Sequence, residues 1–342
     1  MLYADKEEFS MDRRNFLKLL GAAGCVAAGG AVIANADKLE TLLHRGDYRV
    51  SMTRNAIGTH VDITAFGPAQ YETEDAVAAA FEDIAQMERQ LTHYGNMSPV
   101  AELNAEGHIE KLPAPMAALL ASCMQFYRAT DGAFDITVKP VLDKLAANGN
   151  LSDREIAELL AHVGSEKLAF NGDSLSIPSG MGITFDGCAP GFIADRAAQI
   201  LNDRGIHNFL VNAGGEIRTS GKPKGANAWK VAIQDPQKRG NYPGYLAMNQ
   251  SAVSTSGNYE IFFSEDKQSH HIIDAHTGKS PKLTASVTVT APTALEADIL
   301  STALFVMSPA EALAFTAKHP QYACRIIGND GSRTMSPNFS LV

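Results

Sequence analysis

Asp298 and Thr302 stand four residues apart in the run Thr293-Ala294-Leu295-Glu296-Ala297-Asp298-Ile299-Leu300-Ser301-Thr302-Ala303-Leu304-Phe305. On an α-helix, positions i and i+4 share a face. A carboxylate and a hydroxyl held there are hard oxygen ligands, the kind Mg²⁺ takes alongside water and substrate phosphates. The spacing alone leaves two readings open: a metal pair serving a phosphate-bearing substrate, or a solvated or locally hydrogen-bonded pair. Ala297, Leu300, Ala303 and Leu304 are apolar, so this helix packs into a core.

Other junctions carry polar or Gly-rich chemistry. Asp186-Gly187-Cys188-Ala189-Pro190-Gly191 precedes a helix, where free backbone N–H groups and the helix dipole favour an anion; an ordinary tight turn is the alternative. Gly58-Thr59, Asn212-Ala213-Gly214-Gly215-Glu216 and Ser254-Thr255-Ser256-Gly257 punctuate apolar strands. Neither G-x-G-x-x-G nor a Walker A sequence is present, so dinucleotide-fold and P-loop readings have no support. His271 is a candidate general base because imidazole titrates near neutrality; a packed or surface histidine beside His270 and His276 is the alternative. Tyr94, after Thr92-His93, could stack on an aromatic ligand or pack in the ordinary way.

The elements that must position these residues follow from periodicity. Residues 48–66 alternate and read as strands broken near Gly58. Residues 74–91 read as a helix with Val77, Phe81, Ile84 and Leu91 on one face and Glu88 as a polar exception there. Helices are expected over 114–129, from the Ser152/Glu155 capping box to about 163, over 192–203 ending at Gly205, over 293–305 and over 309–318. Strands are expected near 167–170, 174–177, 182–186, 209–211, 229–233, 252–254, 259–263, 271–274, 286–291 and 322–327. Helices cluster early and strands late, which favours an α+β fold with a mixed-sheet core over strict alternation.

The chain has 342 residues, 45% of them hydrophobic, enough for one large domain or two small ones. A net charge of −9 argues against a nucleic-acid partner, which needs clustered Lys and Arg. Arg13-Arg14 with Phe16-Leu17-Lys18, then an Ala/Gly-rich apolar run to Ala34, reads as a twin-arginine export signal. Ala34-Asn35-Ala36 supplies small residues for cleavage, so residues 1–36 are the expected signal and 37–342 the mature domain, in the periplasm or otherwise exported. Ala23-Gly24-Cys25 is a weaker lipoprotein-like site that would place a lipid anchor on Cys25 and the protein at a membrane. Cys123, Cys188 and Cys324 lack paired spacing and are expected to be buried small hydrophobes rather than disulfides or zinc ligands.

Taken together, these segments resemble the ApbE family, the FAD:protein FMN transferases. The matching stretches run in the family's order: Gly58-Thr59; Thr92-His93-Tyr94 with Ser98, Glu102 and Asn104; Gly132 to Thr137; Asp186-Gly187 to Asp195-Arg196; Val211 to Ile217; Trp229 to Pro236; Ser254 to Gly257; His271 to Asp274 with Thr277-Gly278; and Ser286 through Phe305. The resemblance implies an ApbE-like flavin transferase fold, FAD as substrate with Mg²⁺ at its diphosphate, and an acceptor flavoprotein whose Thr or Ser hydroxyl takes FMN as AMP leaves. It implies Asp298, Thr302 and the Ala189 carbonyl as metal ligands, and His271 with Asp298 as catalytic residues. It implies Gly58, Thr59, Tyr94, Glu102, Asp186, Gly214, Gly215, Ser256, Gly257 and His271 along the FAD cleft. Three departures stand out: Pro190 where many members have Lys, Glu216 where many have Asp, and Ala275 where a proline is usual. An FAD pyrophosphatase would use the same residues; a non-catalytic flavin-binding protein is favoured by Pro190 and disfavoured by the intact Asp298–Thr302 pair.

Overall fold

The computed structural model describes residues 48–93, 97–237, 242 and 244–342. The export signal, its cleavage site at Ala36, Cys25 and Tyr94 all lie outside the described residues. From Tyr48 onward the chain forms one compact unit.

Its frame is an eight-stranded sheet. In chain order the strands that build it are β1 (Tyr48–Ala56), β2 (Thr59–Gly67), β6 (Asn208–Ala213), β7 (Glu216–Ser220), β10 (Ala252–Gly257), β11 (Thr284–Ala291), β12 (Ala323–Gly328) and β13 (Arg333–Met335), and they lie side by side in that order. Every pairing is antiparallel, so the expected α+β class holds and its core sheet is antiparallel rather than mixed. Strands alternate their side chains between faces. One face carries Val61, Ile63, Val211, Val287, Val289 and Ile326 into the main core. The other carries Val253 and Ala323 into a smaller cluster with Trp229, Val231, Leu246 and Phe339, built around the hairpin of β8 (Trp229–Ala232) and β9 (Tyr245–Met248).

Three helices cover the main-core face: α1 (Gln70–Leu91), α6 (Ala189–Asp203) and α7 (Ala294–Val306). Helix α1 buries Ala76, Val77, Ala80, Phe81, Ile84, Met87 and Leu91, the spacing of one helical face. Its polar exception has a structural use. Glu88 Oε1 accepts the Ile57 N–H at 2.7 Å and so caps the β1–β2 turn, where Ile57 and Gly58 both have positive φ. Helix α7 is enclosed on nearly every side. Ile299, Leu300, Leu304 and Phe305 are wholly buried, each worth ~1.5–3 kcal/mol relative to exposure. Thr293 and Glu296 close a capping box at its start.

Several expectations are corrected. Residues 182–186 are extended but unpaired as a strand; Asn104 pins them by donating Nδ2–H to the Ile183 carbonyl (2.9 Å) and accepting the Ile183 N–H (2.7 Å). Residues 259–263 and 271–274 make only isolated bridges, Phe262 with His270 and Asp274 with Lys279, because their neighbours form cavity walls rather than sheet. Two helices escaped the periodicity: α2 (Pro99–Glu106) and α4 (Lys139–Asn148), both short and opened by proline in the first turn. Cys123, Cys188 and Cys324 are free and buried, as expected.

Candidate functional site

Two helix starts are locked together where the site lies. Asp298 of α7 accepts the Gly191 N–H of α6 on Oδ2 at 2.9 Å. In return, Asp195 of α6 accepts the Ala294 and Leu295 N–H groups of α7, both at 2.9 Å. Each carboxylate thus satisfies N–H groups that the other helix's first turn leaves unpaired. Arg218 holds the clamp from the sheet: its Nε lies 3.5 Å from Asp195 Oδ1 and its Nη1 donates to the Pro292 carbonyl. The approach is too close for any side chain at Gly191, where a Cβ would stand 2.5 Å from the Ala294 carbonyl oxygen and 2.7 Å from Asp298 Cβ.

The clamp sets Asp298 into the wall of a cavity of about 600 Å³. Thr302, Glu216, Ser256, Gly257, Gly214, Gly215, Asp186, Gly187 and His271 line the same cavity. The helix pair Asp298/Thr302 and the histidine are therefore brought together from α7 and from the loop after residue 263. Gly58, Thr59 and Glu102 are not on this wall. Thr59 packs beneath Gly214, with its Cγ2 2.8 Å from where a Cβ would sit, and Glu102 lies in a separate hollow with His108 and Lys111. Ala189 is not a lining residue either; it opens α6 two residues beyond the lining Gly187.

The electrostatics are those of an acid-rich pocket. Asp135, Asp143, Asp186, Glu216, Glu260 and Asp298 line it, against Lys139 as the lone lysine or arginine among the described lining residues, itself bonded to Asp143 at 2.6 Å. Burial and then the neighbouring Glu216 push the Asp298 carboxyl well above its ordinary range, outweighing the Gly191 N–H. Burial likewise raises Glu216 from 4.5 to about 7. Burial lowers His271, partly offset by the Ile261 carbonyl, so its neutral form prevails at neutral pH.

This arrangement fits a hard divalent cation. Among the described residues no three His, Cys, Asp or Glu side chains converge as a metal cage. Two crowded carboxylates beside hydroxyls match an ion that keeps waters and shares substrate oxygens. Asp298 Oδ2 is taken by Gly191, which leaves Oδ1 for the ion. A bound diphosphate would meet net negative charge here unless a cation stood between.

Glu216 gives a pH test. Its folded value is raised above the unfolded one, so the folded chain keeps a proton that the unfolded chain has released above about 4.5. The stability tied to this group is present at acid pH and is lost as pH rises from about 4.5 towards about 7. Urea unfolding of the metal-free protein should show Glu216→Gln gaining on the wild type across that window, by at most about 3 kcal/mol. A difference between the two that does not move with pH would contradict it.

Ser301 and Lys139 were not expected at the site, and Ser254 was expected only as part of the Ser254–Gly257 stretch, without a role of its own. Ser301 follows Leu300 on an apolar helix, and nothing local marks it. Its partners come from β10: Ser256 Oγ at 2.7 Å and Ser254 Oγ at 3.2 Å. Period-two alternation along β10, which puts Ser254 and Ser256 on one face, was the available signal.

An antiparallel α+β frame that sets a carboxylate–hydroxyl pair and a histidine around one acid-lined cavity defines a candidate enzyme active site. The ApbE family profile matches residues 57–326, and the chain belongs to that family. It is 27% identical over 332 residues to the FAD:protein FMN transferase of Haemophilus influenzae, covering 90% of this chain and 93% of the relative. Its fold matches the ApbE protein of Thermotoga maritima with a TM-score of 0.78 at 28% identity, covering 85% of this chain and 98% of that one. It matches the Pseudomonas stutzeri flavinyl transferase ApbE with a TM-score of 0.75 at 26% identity, over 85% and 96% of the two chains.

Proposed function

We propose that this chain transfers the FMN portion of FAD to a Thr or Ser hydroxyl of a partner protein, releasing AMP, with Mg²⁺ as cofactor. The observation that carries the reading is the meeting of Asp298, Thr302, Glu216 and His271 on one cavity wall. Asp298 and Thr302 would hold the ion; the Ala189 carbonyl is the third ligand that the family resemblance implies, although Ala189 does not line the cavity. Mg²⁺ there would neutralise the diphosphate and the charge that builds on its oxygens in the transition state.

The chain's own residues do the rest. His271 Nδ1 lies 3.4 Å from the Ile261 carbonyl, which favours the proton on Nδ1 and leaves Nε2 as the accepting nitrogen. His271 takes the proton of the acceptor hydroxyl as its oxygen bonds to the FMN phosphorus, and the bond from that phosphorus to the AMP oxygen breaks. Gly214 and Gly215, both at positive φ, put bare backbone on the cavity wall where a ligand can approach closely. Gly257 serves the same wall differently: a Cβ there would stand 2.3 Å from the Tyr259 ring. With Pro190 in place of a lysine, Lys139 is the described cation best placed to meet phosphate charge.

The acceptor would be an exported or membrane-anchored electron-transfer protein, reached after twin-arginine export. Mass spectrometry of the mature N-terminus separates cleavage after Ala36 from lipidation of Cys25. Incubation with FAD, Mg²⁺ and an acceptor domain tests the chemistry. Covalent flavin on the acceptor is expected; free FMN and AMP without it would make the chain a hydrolase, and bound, intact FAD would make it a carrier.

A further inference from the structure

We propose that Ser301 is a positioning residue that turns the Thr302 hydroxyl proton inward, so that the Thr302 oxygen presents its lone pairs to a divalent cation. The inference rests on the metal reading given above and concerns how this chain prepares that site.

Three hydroxyl contacts tie α7 to β10, flanked by one within α7 and one from β10 to β7. Ser301 Oγ donates to the Asp298 carbonyl at 2.9 Å. It lies 2.7 Å from Ser256 Oγ and 3.2 Å from Ser254 Oγ. Ser256 Oγ is 3.3 Å from Thr302 Oγ1, and Ser254 Oγ is 3.3 Å from Glu216 Oε1. Ser301 is fully buried at 0% exposure, so water does not complete its bonding.

A hydroxyl has one proton to give and two lone pairs to receive with. A carbonyl can only accept, so the Ser301 proton is committed to Asp298. The short contact to Ser256 then needs the Ser256 proton, which points to Ser301. The contact between Ser256 and Thr302 in turn needs the Thr302 proton. Thr302 is left with lone pairs for the cavity it lines. This ordering holds whether or not Glu216 is protonated, because Glu216 acts only through Ser254 on the other arm. Without Ser301, Ser256 is free to donate to Thr302, and an O–H proton then occupies the side a cation needs.

A structural serine would behave differently from an orienting one. Mn²⁺ is titrated into the full chain, with and without ADP, and free ion is followed by electron paramagnetic resonance. Ser301→Ala should weaken Mn²⁺ binding by about tenfold or more, the scale typical of lost outer-shell support. Ser254→Ala removes the contacts to Ser301 and Glu216 but leaves the Ser301–Ser256–Thr302 relay in place, so it should cost clearly less than Ser301→Ala, about threefold or less. Equal Mn²⁺ affinity in Ser301→Ala and the wild type overturns the proposal while leaving the metal reading intact. Equal losses in Ser301→Ala and Ser254→Ala also overturn it, as they indicate general loosening. Absence of Mn²⁺ binding in the wild type overturns the metal reading and this proposal together. If Ser301→Ala does not fold, Ser256→Ala reads the same relay, with a tenfold loss expected and unchanged affinity contrary.

Discussion

Replacing Asp298 by Asn is expected to lower Mg²⁺-dependent turnover by about a thousandfold or more, equivalent to ~4 kcal/mol of lost transition-state stabilisation. The fold should survive. Asn retains an oxygen for the Gly191 N–H and a similar volume. It also removes a carboxylate that burial and Glu216 both disfavour, so the metal-free variant should melt no lower than the wild type. What disappears is the rise in Tm on adding Mg²⁺, because ligand stabilisation requires binding to the native state. Steady-state kinetics and thermal melting with and without Mg²⁺ give both readouts. Turnover within about threefold of the wild type, at any Mg²⁺ concentration, would remove Asp298 from the chemistry.

Loss of His271 should act on rate rather than on affinity. His271→Ala removes the accepting nitrogen but not the wall of Gly214, Gly215 and Gly257. It should cut kcat by about 10²–10⁴, the usual worth of a positioned base, with the KM for FAD within a few-fold. Because burial holds this histidine below the ordinary value of 6.5, the acid limb of the wild-type pH–rate profile should lie below that value and vanish in the variant. Equal loss in kcat and in FAD binding would reassign His271 to holding substrate.

The parts of this site that were legible in the sequence are those fixed by local periodicity. The i,i+4 relation placed Asp298 and Thr302 on one face, and the strand expected near 286–291 led directly into their helix at 293–305. Helix limits at 114–129 and 309–318 agree with the structure residue for residue. The relation of Asp298 to Gly191, across more than a hundred residues, was not legible, nor was the answering bond of Asp195 to α7. Such contacts depend on how close two helices come, which only the glycine hints at. The aromatic and β-branched residues at 259–263 and 271–274 looked like strands because propensity reports a pleated, half-buried setting, and a cavity wall is also half-buried. Gly58 and Thr59 were expected in the cleft from the family resemblance, whereas they build the turn beneath Gly214.

The proposed chemistry turns on whether a divalent cation binds at Asp298 and Thr302. Crystals of the protein grown with Mn²⁺ and FAD, measured at the manganese edge, would locate it by anomalous scattering. A single peak is expected at coordinating distance from Asp298 Oδ1 and Thr302 Oγ1, with diphosphate oxygens on its open side. A peak elsewhere in the cavity, or bound FAD with no metal at Asp298, would contradict it.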